Sequence, residues 1–198
     1  MIQYRRLSAL LLGAWLGASI LADIAVTQNF QTVDRFLATP GSPATSLQIN
    51  AAGRDRERFI LRRNAAEENN WIFLNWERTE FFLGGCLFLM FLFGERPQKL
   101  LLAASIALVA IIAVEHFLLT PRITDSGRVV DGLSSTDSRY KTFWMLHGFY
   151  SGLDILKMLI LFAASVRLVL RRKPDRDYFA REYALATPSG EPAAKGQP

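Results

Sequence analysis

Long apolar stretches alternate along this chain with short segments that gather nearly all of its charge. Four stretches stand out, at residues 7–26, 71–94, 100–119 and 142–170. A hydrocarbon core ~30 Å thick needs about 20 helical residues. Each stretch reaches that length, the second once its charged start at Glu77, Arg78 and Glu80 is included. Residues 87–93 and 106–114 are apolar on every side of a helix, where a soluble four-helix bundle would keep polar stripes. The pattern predicts an all-α protein. It is expected to be an integral membrane four-helix bundle with a long extracytoplasmic helical extension before the second span.

A cleaved signal peptide is the rival reading of the first stretch, because Arg5 and Arg6 give it a basic start. The stretch is long for a signal, and Ile20, Leu21 and Ala22 make a poor small-x-small cleavage site, so a retained span is expected. Pro121 follows the third stretch and discourages further helix, so that span is expected to stop at Leu119.

Between the spans, residues 27–70 form the extension. Phe30, Val33 and Leu37 stand at helical spacing and suit a short helix lying on the membrane surface. Residues 39–43, Thr-Pro-Gly-Ser-Pro, break the chain. Residues 54–82 lack Pro and Gly and favour one long helix that runs into the second span, with Arg63 and Glu67 placed to pair. The tight connection at residues 94–99 makes spans two and three antiparallel neighbours. Residues 120–141 read as an extracytoplasmic loop. Residues 171–198 read as a cytoplasmic tail, with a short interfacial helix at 175–185 and disorder beyond it. Trp71, Trp76, Tyr140 and Trp144 fall at the outer ends of spans, where amphipathic rings belong.

Composition narrows the classes. A chain 51% hydrophobic and 21% charged is not a disordered one. The single cysteine, Cys86, excludes a disulfide framework and a cysteine-based zinc cluster. Basic residues exceed acidic ones, 23 to 18, and their placement sets orientation. Arg5, Arg6, Arg96, Lys99, Arg171, Arg172 and Lys173 flank spans on the side of residues 1–6, against Arg78, Arg122, Arg139 and Lys141 opposite. Both termini are therefore expected in the cytoplasm of a bacterial inner-membrane protein. The arginines at 54, 56, 58, 62 and 63 are interleaved with acids, so a solvated helix face is expected rather than a nucleic-acid surface. No glycine-rich phosphate loop or nucleophile elbow occurs, and no enzyme is expected.

Several segments together resemble a family of small bacterial four-span membrane proteins, domain of unknown function 4149, related to the eukaryotic transmembrane protein 205. The resemblance lies in Leu12-Gly13-Ala14-Trp15-Leu16-Gly17, in Glu67-Glu68-Asn69 leading to Trp76-Glu77, and in Leu119-Thr120-Pro121-Arg122-Ile123. It continues through Phe143 to Asp154, with Leu146-His147-Gly148 and Ser151, and covers most of residues 7–170. It implies a helical membrane bundle and carries no agreed reaction, cofactor or catalytic residue. Thr27-Gln28 stands where members often have a proline-bearing continuation, and residues 39–53 are longer than usual.

Charges inside a bilayer are costly, which makes them the default functional candidates. Depth along the spans puts Asp23, Glu77, Glu80, Glu115, His116 and His147 in the outer half. His147, Ser151 and Asp154, at i, i+4 and i+7, share one helical stripe. A mutually satisfied polar network of Asp23, Glu77, Glu80, Ser151, Asp154 and Lys157 is one reading. The other is a ligand site, with His116 and His147 holding a haem or chlorin, or joining Glu80 and Glu115 around a divalent metal or in a proton relay. Of these, no bound cofactor is the expectation. Gly13 with Gly17, and Gly148 with Gly152, form small-xxx-small pairs that suit close helix packing. The functional expectation is a non-enzymatic accessory or structural subunit that contacts lipid and other membrane subunits or further copies of itself. A small oligomeric transporter or resistance protein working through the outer polar cluster is the alternative.

Overall fold

The computed structural model describes residues 2–94, 99–130 and 133–170. The flanking Arg96, Arg171, Arg172 and Lys173, the connection at 95–98 and the tail at 171–198 lie outside the described residues. So do Asp131 and Gly132 of the expected outer loop. Within those described, the elements are α1 (Ile2–Ala38), α2 (Pro43–Ala52), α3 (Arg54–Leu92), α4 (Lys99–Val114), a π-helical turn (Glu115–Leu119), α5 (Thr120–Val130) and α6 (Ser138–Leu170). No strand occurs among them.

Local chemistry sets the element ends. Ser42 caps α2 by accepting the backbone N–H of Thr45 at 3.1 Å, and Pro43 starts the helix where its missing N–H costs nothing. Gly53 stands between α2 and α3 at φ 89°, a left-handed conformation that favours glycine. Asp137 accepts the Arg139 backbone N–H at 2.8 Å at the head of α6. The Arg139 side chain beside it holds the Asp137 carboxyl below its ordinary range.

Two expectations about helix ends are corrected. Residues 28–37 form no separate surface helix. They continue α1 away from the apolar segment and pack against the first half of α3, where Arg58 meets Asp34 at 3.0 Å and Arg62 lies over the Phe30 ring at 5.4 Å. Leu37 is buried there rather than spread on a surface. Pro121 does not stop the third stretch either. The helix widens into the π turn, where the Thr120 N–H reaches Glu115 O, and resumes as α5. A widened turn relieves the clash a proline ring makes with the carbonyl one turn earlier. The expected Arg63–Glu67 pair is also absent. Arg63 donates to the Arg128 carbonyl of α5 at 3.4 Å, and Glu67 faces the Arg128 side chain at 3.8 Å.

α1 packs on α3 and α6, α3 on α4, and α5 on α6. The apolar core lies at one end of this bundle, built from Leu12, Trp15, Leu87, Phe91, Leu108 and Leu161 with their neighbours. Large apolar side chains cover the outside, among them Leu10, Phe82, Phe117, Phe149 and Phe162, while Glu77, Glu80, Glu115 and Lys157 are enclosed. Two helical stretches, Arg6–Ala38 and Lys99–Val130, are long and apolar enough to cross a membrane. Only 17% and 33% of their most apolar windows is buried, whereas the core helix of a soluble protein is mostly buried.

Candidate functional site

The site follows from where each helix turns its inner seam. On α6 the seam is Tyr150, Asp154, Lys157, Leu161, Ala164 and Leu168, alternating steps of three and four. On α3 it is Asn69, Glu77, Glu80, Gly84, Leu87 and Phe91. Both seams are polar in one half and apolar in the other, so polar faces polar and the ionisable groups stack above the apolar core. At about 1.5 Å per residue, Glu80 lies about 18 Å from the end of α3 at Leu92, and Lys157 about 20 Å from Leu170.

The inner layer centres on Lys157, whose side chain is 1% exposed. Its ammonium donates to Glu80 Oε2 at 2.8 Å and Glu115 Oε2 at 3.1 Å, and lies 2.7 Å from Asp154 Oδ1. Three partners use all three of its N–H groups. Glu80 Oε1 accepts the Trp15 indole N–H at 3.0 Å and the Ser19 hydroxyl at 3.4 Å. Asp23 comes within hydrogen-bonding reach of Asp154. Glu115 Oε1 is enclosed and has no partner.

One helical turn away on α3 lies a second layer around Glu77, which is fully buried. Thr120 donates a short hydrogen bond to Glu77 Oε1, and the Tyr150 hydroxyl donates to the same oxygen at 3.2 Å. His116 Nδ1 meets Glu77 Oε2 at 2.7 Å, and the π turn brings Glu115, His116 and Thr120 to the bundle together. A third layer fastens the extension. Asn69 donates to Val26 O and accepts from Asn29, and Thr124 donates to Asn70.

Several sequence candidates stand elsewhere. Ser151 is exposed and donates to the His147 carbonyl at 3.0 Å, so it takes no part in the network. His147 stacks on Phe143, with ring planes 12° apart, and meets Trp144 edge-on. Tyr150 is the residue that reaches Glu77, and His147 lies about 4.5 Å farther along the α6 axis. The two histidines therefore do not share a level. His116 belongs to Glu77, with Phe81 and Phe117 against its ring edges.

The proposed metal set of Glu80, Glu115, His116 and His147 is not assembled, because the Lys157 ammonium occupies the space between the two glutamates. Among the described residues no group of three or more His, Cys, Asp or Glu is placed to hold a metal ion. Gly13, Gly17, Gly148 and Gly152 are exposed, and a Cβ added at any of them meets nothing within 4 Å, so they are not where these helices approach one another. Gly84 is. A Cβ there would come within 2.9 Å of Val109 Cγ2 and 3.5 Å of the Trp15 ring.

The sequence marked none of Trp15, Ser19, Thr120, Tyr150 and Gly84 as part of this site, although Trp15 and Thr120 stand in the motifs that carry the family resemblance. Stepping back from Leu161 by fours and threes finds Tyr150 from Lys157. Thr120 needs the π turn, which no spacing rule announces.

Two surface grooves, of about 390 Å³ beside Thr32 and Phe36 and about 540 Å³ beside Phe162 and Leu170, are lined by no residue of these layers. The polar column can hold charge away from solvent and pass a proton between adjacent carboxyl, hydroxyl and imidazole groups. No protein-family model matches this chain, and no curated protein or solved structure matches it either.

Proposed function

We propose that this chain is a four-span integral membrane protein whose interior column binds a proton and moves it, alone or coupled to a solute. The spans are α1, the second half of α3, α4 with the π turn, and α6, in a bacterial inner membrane with both termini cytoplasmic. The observation that carries the reading is the enclosed Lys157–Glu80–Glu115–Asp154 cluster, to which three helical segments contribute. A bundle that faces lipid with Phe82, Phe117 and Phe162 gains nothing in packing from four ionisable groups at its centre. Charges in that position mark ion pathways and proton relays. The apolar layer of Leu12, Leu87, Phe91 and Leu161 closes the column on one side, as a gated carrier requires and an open pore does not. Membership of the four-span family that the sequence resembles fits this reading, and so does a non-enzymatic role.

Reconstitution into liposomes holding a pH-sensitive dye tests it. A potassium diffusion potential should drive proton movement that Lys157→Met and Glu77→Gln abolish. Absence of flux, with and without candidate solutes, from protein shown to be folded would overturn it.

One observation favours a second reading, an accessory subunit. Gly13, Gly17, Gly148 and Gly152 present open, small-residue surface on the outside of α1 and α6. In a bilayer such surface suits another helix, from a different membrane protein or a second copy. Co-purification of a stoichiometric partner after gentle extraction, lost in Gly13→Leu, would support this reading over transport.

A further inference from the structure

Three carboxyl groups surround one ammonium in the inner layer, and a fourth meets one of the three. Asp23 comes from α1, Glu80 from α3, Glu115 from the π turn and Asp154 from α6, and no cation besides Lys157 touches any of them among the described residues. The other groups packed there are neutral or committed. Trp15 and Ser19 of α1 donate to Glu80, Tyr150 donates to Glu77, and His116 holds the far oxygen of Glu77. Fully ionised, the inner layer would hold three uncompensated negative charges where water is scarce, a state that proteins relieve by protonation.

The geometry locates the relief. Glu115 Oε1 is enclosed without a partner, the least favourable position for an ionised oxygen. Asp23 and Asp154 sit within hydrogen-bonding reach of each other, and two carboxyl groups attract at that distance only when a proton lies between them. Glu80 is the opposite case, since three donors converge on its two oxygens.

We infer that the inner layer is a proton-binding site in which Glu115 carries one proton and the Asp23–Asp154 pair shares another. Lys157 stays charged as the fixed counter-ion, and Glu80 stays ionised beneath Trp15, Ser19 and Lys157. Loading and unloading make and break only O–H bonds. The Glu77 layer, with Tyr150 and His116, is the adjacent rung through which a proton arrives. This deepens the transport reading by naming the ligand and the residues that hold it.

The test is infrared spectroscopy of the full chain in lipid nanodiscs at pH 7, following the C=O stretch of protonated carboxyl groups and its shift in D2O. The wild type should show a carboxylic-acid band at a pH where solvent-exposed carboxylates give none. Glu115→Gln should remove one component of the band and Asp23→Asn another. Glu68→Gln, at an exposed position, should leave it intact. No acid band in the wild type at pH 7 would overturn the inference, as would a band that survives Glu115→Gln, Asp23→Asn and Asp154→Asn alike. If those variants fail to fold, the wild-type spectrum decides alone. An acid band without flux in liposomes would sink transport and leave the site standing, whereas flux without a band would do the reverse.

Discussion

Replacing Lys157 by methionine removes the only cation in contact with Glu80, Glu115 and Asp154 among the described residues and keeps most of the side chain's length. Breaking a buried ion pair by deleting one partner costs about 3–5 kcal/mol. The protein has one escape, which is to neutralise Glu80 with a proton from solvent. With a reference value of about 4.3 and about 1.4 kcal/mol per pH unit, that proton costs about 4 kcal/mol at pH 7 and about 2 kcal/mol at pH 5.5. The two figures agree near neutrality, so the expected loss is about 4 kcal/mol at pH 7, roughly 8–16 °C in melting temperature for a chain of this size. The sign follows from linkage. The folded variant binds one proton more than the folded wild type while the unfolded chains bind alike, so its deficit shrinks as pH falls. Thermal unfolding of wild type and Lys157→Met in detergent micelles at pH 5.5 and 7 reads both quantities. A double variant that adds Glu80→Gln should recover part of the loss at pH 7. Equal stability of the single variant and wild type at pH 7, or a deficit that does not change with pH, would refute the electrostatic reasoning.

Other outcomes follow from the same geometry. Gly84→Val should cost about 1–3 kcal/mol by pressing Val109 and Trp15 apart, measurable as a lower melting temperature, whereas Gly148→Ala, in open space within α6, should raise it through up to about 1 kcal/mol of helix propensity. Glu77→Gln should cost about 1.5–3 kcal/mol, because the Thr120 and Tyr150 hydroxyls lose a charged acceptor and His116 loses its carboxyl partner. It should also change the nitrogen chemical shifts of the His116 ring, read by NMR on histidine-labelled protein. Asp137→Asn keeps a capping oxygen but removes its charge, whose contribution is present above the usual carboxylate range and fades as pH falls below it, since the folded group titrates lower than the unfolded one. Amide protection factors at residues 139–142, corrected for intrinsic exchange, should therefore fall below about pH 4 in wild type and stay flat in the variant.

The helical class was legible because residues 87–93 and 106–114 leave a helix no polar face. The ionisable residues of the core were legible too, since Glu80, Glu115 and Lys157 interrupt apolar sequence and an interrupted stretch asks for an explanation. Their pairing was not, because it depends on the phase between helices. A step of one residue turns a helical side chain by about 100°, which separates Tyr150, on the seam, from Ser151, on the outside. The π turn adds a residue and shifts that phase again, so rules of three and four cannot carry the seam past Val114. The glycine pairs misled for a related reason. A small-xxx-small motif records that a face is open to close approach, not which partner approaches, and Gly13 and Gly17 look outward. Residues 28–37 misled because amphipathic spacing is the same for a helix on a membrane and for one lying along α3.

Everything rests on lipid, rather than water, touching the outer faces of α1, α3, α4 and α6. The most direct measurement places single spin labels at Leu10, Phe82, Ile106 and Leu159, all outward-facing, in a Cys86→Ser background of the protein reconstituted into bilayers. Collision with dissolved oxygen should greatly exceed collision with a water-soluble relaxing agent at all four positions, and the ratio should invert at Arg63 on the extension. Free access of the water-soluble agent to all four apolar positions would contradict the account.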